Sequence, residues 1–385
     1  MDDVGRFLVE LGLILVLLAG LGTAARRLGL SPVPLFLLGG LLLRGIGVGD
    51  TESTAPFVEA TAEIGVLLLL LLLGLEFSAA EFRTSLKRHS PSGVVDFVLN
   101  ATPGYLAGMV LGFAWQASLA LAGICWISSS GIVARLIGDL RRSGNRETPA
   151  ILSVLVLEDM AMAVYLPVLA ALLVGGTAQG AVVGVVLAVV VVAAVFVIAF
   201  RLADRLGRVL RHDDDEQVML RVLGLTLLVA GLTHWAGASA AVGAFLVGLA
   251  VPGATARRAR EVLGPLRDLF AALFFLSFGM RVAPGAIVPV LPVALVLAVV
   301  TTLTKVATGW YAARRDGVAV RGRVRAGTAL VARGEFSVVI AGLAVAAGYV
   351  EVGSLASAYI LLLAVTGPIL ARAADGLTSI ARRRG

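Results

Sequence analysis

AIVPVLPVALVLAVVTTLTKVATGWYAA, residues 286–313, is longer than the roughly 20 apolar residues that cross a bilayer, and it carries one charged side chain, Lys305. An ammonium at membrane depth is costly unless it is paired or faces water, so a charge kept there is read as functional. The chain uses only two lysines against thirty arginines, which makes the placement of this one more telling. Its expected partners lie far upstream, where Glu158 and Asp159 form an adjacent acidic pair in the middle of the apolar stretch Pro149–Val174. Charges of both signs inside two separate apolar stretches read as a transporter.

Composition extends that reading to the whole chain. Apolar residues make up 59% of it and the mean hydropathy is +0.97, against roughly 45–50% apolar content in soluble domains. Windows of spanning length predict an all-α polytopic membrane protein of about thirteen transmembrane helices, near 6–24, 33–48, 61–77, 92–113, 117–138, 149–174, 179–200, 218–234, 238–251, 265–280, 286–313, 322–347 and 354–374. Short cytoplasmic loops carry excess Lys and Arg. With the N-terminus outside, 24 of the 32 basic residues fall on the cytoplasmic side, while Arg6, Arg44 and Arg281 fall on the other. The C-terminus is then cytoplasmic.

Several classes recede on composition. The net charge of +7 is spread over seven cytoplasmic segments rather than gathered into one stripe, so no nucleic-acid partner is expected. Cys125 is the single cysteine and lies in an apolar span, and three scattered histidines show no metal-ligand spacing. No cofactor is expected, and no metal beyond a transported monovalent cation. Asp2 and Asp3 precede the first span in place of a basic signal-peptide region, so it is kept as a helix. The longest polar segment, Arg201–Gln217, reads as a linker between bundles, and no stretch is expected to hold a soluble regulatory domain.

Two spans are interrupted in a way that suits an ion site, because transporters build such sites from discontinuous helices at the midplane. The fifth contains Ser128-Ser129-Ser130-Gly131 and the twelfth Arg333-Gly334-Glu335. If both unwind and cross, freed backbone groups would face a cavity, where irregular backbone is tolerated; the alternative is a kinked, continuous helix. Asp159 is read as an ion and proton ligand, with a purely structural carboxylate as the other reading. Glu158 and Lys305 form either a working ion pair or a packing device. Arg333 and Glu335, two positions apart, point to different sides of a regular helix and serve different partners, as charge compensation or as scaffold. Asp96 and Asn100, spaced i,i+4 in the fourth span, line a cytoplasmic funnel or bond to each other.

Ordered along the chain, Leu73-Gly74-Leu75-Glu76, Ser128-Ser129-Ser130-Gly131-Ile132-Val133, Leu157-Glu158-Asp159, Gly243-Ala244-Phe245-Leu246-Val247-Gly248-Leu249, Phe274-Phe275-Leu276-Ser277-Phe278-Gly279-Met280 and Arg333-Gly334-Glu335-Phe336 resemble the monovalent cation:proton antiporters of the cation:proton antiporter-2 group, which includes Kef-type potassium efflux systems and sodium/proton antiporters. The likeness covers nearly the whole chain. It implies a sodium/proton antiporter-like fold with inverted repeats and two crossed discontinuous helices, and a homodimer. Dimer-domain helices would occupy 1–80 and 218–280, core helices 91–174 and 286–376, a linker helix and cytoplasmic loop 179–217, and a short basic tail 377–385. The core would move in an elevator-like cycle.

By the same resemblance Asp159 matches the ion-binding aspartate, Glu158 a preceding position that varies among aspartate, asparagine and glutamine, and Lys305 the basic residue that can pair with that preceding acid. Members with a second aspartate there tend to be electrogenic, and those with an amide electroneutral or Kef-like. Glutamate departs from both, keeping the charge on a longer arm, and leaves the stoichiometry open. Kef-type proteins usually carry a cytoplasmic nucleotide-sensing domain, which is not expected here; a separate regulatory subunit is left open.

A carboxylate in a semi-dry cavity can exchange a proton for Na⁺ or K⁺, with the Ser128, Ser129 and Ser130 hydroxyls and local carbonyls completing the ion's shell. The function expected is secondary active exchange of a monovalent cation for protons by alternating access, in a bacterial plasma membrane, serving pH homeostasis. A sodium-coupled organic-solute symporter, a cation channel and a multi-span membrane enzyme are the alternatives.

Overall fold

A computed structural model describes residues 3–28, 32–46, 54–76, 79–174, 210, 212–235, 240–251, 253–281 and 284–383. Lipid offers no partner for a free N–H or C=O, so each apolar stretch must satisfy its backbone within itself, and the regular structure among the described residues is helical. The N-terminal helices are α1 (Asp3–Leu28), α2 (Val33–Ile46), α3 (Ala55–Glu76), α4 (Ala79–Val110), α5 (Trp115–Trp126), α6 (Ser130–Asp139) and α7 (Thr148–Val174). They are followed by α8 (Asp215–Trp235), α9 (Ala240–Ala250), α10 (Gly253–Arg281), α11 (Pro284–Arg315), α12 (Val320–Ala329), α13 (Glu335–Ala346) and α14 (Val350–Arg383). Among the described residues, seven helices are long and apolar enough to cross a membrane.

Each predicted span except the seventh falls on one of these helices or on a pair of them. The seventh, 179–200, and with it the predicted linker helix, lies outside the described residues. Two helices run further than their apolar windows: α4 begins at Ala79 and continues through Pro91 and Pro103, and α14 continues through the basic end to Arg383. Hydropathy marks only the part of a helix that sits in hydrocarbon, and these helices project beyond it.

The fifth and twelfth spans are each split in two. Helices α5 and α13 have 12 residues, and α6 and α12 have 10. At a rise of about 1.5 Å per residue each is roughly 15–18 Å long, half of the ~30 Å hydrocarbon layer. The breaks therefore fall near its middle. The succession of long helix, half-helix, break, half-helix and long helix occurs twice, as α4–α7 and as α11–α14.

The chain divides into two compact units. The first comprises Met1–Asp50, Ser85–Asp159 and Phe278–Gly385. In it α11 packs on α12 and α14, and a Cβ on Gly309 would overlap the backbone of Gly327, so α11 and α12 touch backbone to backbone. Val133 and Leu136 of α6, Ile151 and Val154 of α7 and Ala329 of α12 share one buried apolar cluster, which ties the half-helices to the long ones. The second unit comprises Thr51–Thr84 and Met160–Ser277. There Leu68 and Leu71 of α3, Val222 of α8, Val247 of α9 and Leu263 of α10 form the core.

Candidate functional site

The two breaks, 127–129 and 330–334, cross and bond to each other. The Ser129 N–H donates to the Ala332 carbonyl at 2.9 Å, and the Ser128 hydroxyl donates to the Leu330 carbonyl at 2.9 Å. Serine hydroxyls compete for backbone partners, which is why a run of three ends a helix where a run of leucines would continue it. Ser129 also starts the next helix: its extended backbone and its Oγ, which accepts from the Ile132 N–H at 3.2 Å, form the N-cap of α6.

Gly334, in the second break, makes the crossing possible by its size. A Cβ there would overlap the Oγ and Cβ of Ser129. Gly334→Ala is therefore expected to push the Ser129 hydroxyl off both Ile132 and Glu335, destabilising the protein by about 1–3 kcal/mol. A thermal midpoint in detergent equal to that of the wild type would show that the crossing tolerates the extra methyl.

Four half-helix ends converge on this crossing, and a charged side chain meets each kind, Arg333 buried and Glu335 half-buried. C-terminal ends carry partial negative charge and N-terminal ends partial positive charge. Arg333, fully buried, donates from Nη2 to the Cys125 carbonyl at the end of α5 at 2.7 Å. Its Nη1 donates to the Val331 carbonyl at 3.0 Å and the Leu330 carbonyl at 3.2 Å, just past α12. Glu335 is the first residue of α13, and it accepts from the Ser129 hydroxyl at 2.7 Å and the Gly131 N–H at 3.2 Å at the start of α6. The two side chains thus face opposite helix ends.

Beside the crossing, α7 presents Glu158 and Asp159, buried to 2% and 5% exposure. Adjacent residues on a helix point about 100° apart, so the two reach different partners. Asp159 accepts from the Ser130 hydroxyl at 2.7 Å. Glu158 accepts from the Ser128 N–H at 2.6 Å and its hydroxyl at 3.1 Å, and from Lys305 Nζ at 2.5 Å. Gly131, next along from Ser130, is exposed, so this side of the crossing has an open edge.

Lys305 has a second carboxylate. Its Nζ lies 2.6 Å from Asp96 Oδ1, with both side chains buried. Asp96 and Asn100, read from the sequence as a funnel lining or as a pair bonded to each other, are fully buried and bonded to one another. The Trp126 indole N–H donates to Asp96 Oδ2 at 2.8 Å. The Asn100 amide donates to Thr308 at 3.0 Å and accepts from Thr304 at 2.8 Å. Reading the sequence alone missed Trp126, Thr304 and Thr308. A signal was present: Thr301, Thr304 and Thr308 surround Lys305 at helical spacing on an otherwise apolar span, and Tyr359 of α14 donates to Thr301 at 2.8 Å.

Chemically, the site gathers buried carboxylates, one ammonium, serine hydroxyls and helix ends. Such oxygens can replace the water shell of a small cation, and the carboxylates can hold a proton. Among the described residues no group of three or more His, Cys, Asp and Glu side chains is arranged to hold a resident metal ion.

The family model for transmembrane sodium/hydrogen exchangers matches residues 13–373. The K(+)/H(+) antiporter subunit KhtU of Bacillus subtilis is 32% identical over 373 residues, covering 94% of this chain and 92% of its own length. The ammonium/H(+) antiporter subunit AmhT of Alkalihalophilus pseudofirmus is 30% identical over 382 residues, covering 97% and 94%. Among solved structures, the sodium proton antiporter MjNhaP1 of Methanocaldococcus jannaschii superimposes with a TM-score of 0.67 at 17% identity, over 97% of this chain and 98% of that one.

Proposed function

Because the chain belongs to the sodium/hydrogen exchanger family of transmembrane proteins, we propose that it exchanges Na⁺ or K⁺ for protons by alternating access, with Asp159 as the site the two ions share. The observation that carries this is a nearly buried carboxylate held by a serine hydroxyl where two broken helices cross. Irregular backbone at membrane depth is tolerated where it serves a cavity, and half-helix ends there suit ion binding. The cation and the proton compete for one charge. If either loaded form can change sides and the empty carboxylate cannot, the downhill flow of one ion drives the other uphill.

Glu158 is the second carboxylate of this site, and Ser128, Ser129 and Ser130 supply neutral oxygens. Arg333 and Glu335 keep the half-helix ends compensated while the site is empty. The segments implied by the antiporter resemblance assign 91–174 and 286–376 to a moving core, and 1–80 and 218–280 to a static dimer domain in a homodimer. The excess of basic residues on one side supports an outside N-terminus in a bacterial plasma membrane. Both relatives are named as subunits, which supports assembly with a second, different chain.

The test is transport by the purified chain in lipid vesicles holding a trapped pH dye. With an imposed proton gradient, adding K⁺, Na⁺ or Li⁺ is expected to dissipate the gradient at a rate that saturates with the cation. Proton movement that ignores all three cations across a broad pH range would sink the exchanger reading. Large uncoupled cation currents would replace it with a channel.

A further inference from the structure

Lys305 is one buried ammonium between two buried carboxylates, Asp96 at 2.6 Å and Glu158 at 2.5 Å. The two are held very differently. Asp96 sits on the unbroken helix α4, where the Trp126 indole and the Asn100 amide donate to it. Trp126 is fixed in turn by an edge contact with Phe97, ring centroids 4.7 Å apart, and Asn100 by Thr304 and Thr308 of α11. Lys305 lies on α11 as well, so the Asp96 side of the ammonium belongs to a rigid, mutually satisfied network.

Glu158, on α7, is bonded to the break instead, through the N–H and hydroxyl of Ser128, and its partners have other acceptors at hand. The hydroxyl of Ser128 has one hydrogen and two acceptors, Glu158 Oε1 at 3.1 Å and the Leu330 carbonyl at 2.9 Å. If Glu158 leaves, that hydrogen stays with Leu330, and Lys305 stays with Asp96. Only the Ser128 N–H loses its partner. Without Asp96, the departure would strand an unpaired ammonium inside the membrane, which is costly.

Resting on the exchanger reading above, we propose that Asp96 is a positioning residue of the exchange: it retains the Lys305 ammonium when Glu158 leaves it, freeing Glu158 to join Asp159 on the transported cation. Glu158 is then a ligand that leaves the break for the cation, and Asp96 acts on the cation only through Lys305.

A double-mutant cycle tests this, with wild type, Asp96→Asn, Lys305→Gln and the double variant in dye-loaded vesicles, using K⁺ and Na⁺ as probes. In Asp96→Asn the lysine has only Glu158 left and keeps it from the cation. The cation KM is expected to rise ~10-fold with kcat within ~3-fold, the coupling scale of groups in contact. In the Lys305→Gln background Glu158 is already released, so adding Asp96→Asn is expected to change KM by less than ~2-fold. The proposal is overturned if Asp96→Asn lowers kcat or thermal stability and leaves KM unchanged, which is the signature of scaffold. It is also overturned if Asp96→Asn raises KM as much without the lysine as with it. Should Asp96→Asn alone fail to fold, the comparison between Lys305→Gln and the double variant decides. A wild type that moves no protons in response to cations removes the exchanger reading itself, whereas an active wild type with an additive cycle removes only the role of Asp96.

Discussion

Asp159→Asn is expected to abolish cation-driven proton movement in vesicles, by ~10²-fold or more, the range lost when a proton-transferring group is removed, while the thermal midpoint stays at the wild-type value. The two halves of that expectation come from the same geometry. Asparagine has the shape of aspartate, and its carbonyl oxygen can still accept from the Ser130 hydroxyl that lies 2.7 Å from Asp159 Oδ2. The packing around α6 and α7 is then undisturbed. What the amide lacks is a charge to attract a cation and a site to hold a proton at ordinary pH, so neither loaded form exists. Glu158 remains in the variant, but it is bonded to the Ser128 N–H and to Lys305, on another side of the helix from Ser130. Coupled exchange persisting at more than about a tenth of the wild-type rate would move the shared site away from Asp159. A variant that loses both transport and its thermal midpoint would show Asp159 to be part of the scaffold.

Much of this site is legible in the sequence for a physical reason. Charges and runs of hydroxyls are rare in hydrocarbon, so Glu158, Asp159, Lys305, Arg333 and the Ser128–Ser130 run stand out against leucine and valine without any structural knowledge. Helix positions are legible because spanning length and hydropathy are local properties. The ends of α4 and α14 are not, since a helix projecting from the membrane is polar and looks like a loop. Pairings are the other limit. The Lys305–Glu158 contact was reachable because both charges lie deep in apolar spans, whereas Asp96, 209 positions from Lys305, sits in the first turns of its span, soon after the polar stretch 89–92, and resembles a boundary charge. The roles of Arg333 and Glu335 depend on where four half-helix ends meet, and that is set by the crossing of two breaks some 200 residues apart.

Arg333→Met is expected to be the most damaging substitution for the fold itself. The guanidinium donates to the carbonyls of Cys125, Leu330 and Val331, and it is fully buried. Methionine fills much of the same volume and donates nothing. The Leu330 carbonyl keeps the Ser128 hydroxyl, whereas the Cys125 and Val331 carbonyls lose this donor; each buried acceptor left without one costs about 1–3 kcal/mol, so the loss is expected to reach about 2–6 kcal/mol, enough to lower the thermal midpoint by on the order of 10 °C. The electrostatic loss points the same way, because the negative ends of α5 and α12 would face each other with no cation between them. Arg333→Lys separates the two contributions. Its ammonium keeps the charge but is a compact donor without the planar fork that reaches both helix ends at once, so it is expected to recover part of the midpoint and not all of it. A full recovery would mean that charge alone matters at this crossing. Equal damage from lysine and methionine would mean that the geometry of the fork decides. If Arg333→Met instead keeps the wild-type midpoint, water or neighbouring groups satisfy those carbonyls, and Arg333 is free to be a transport residue rather than the clamp that holds the two breaks together.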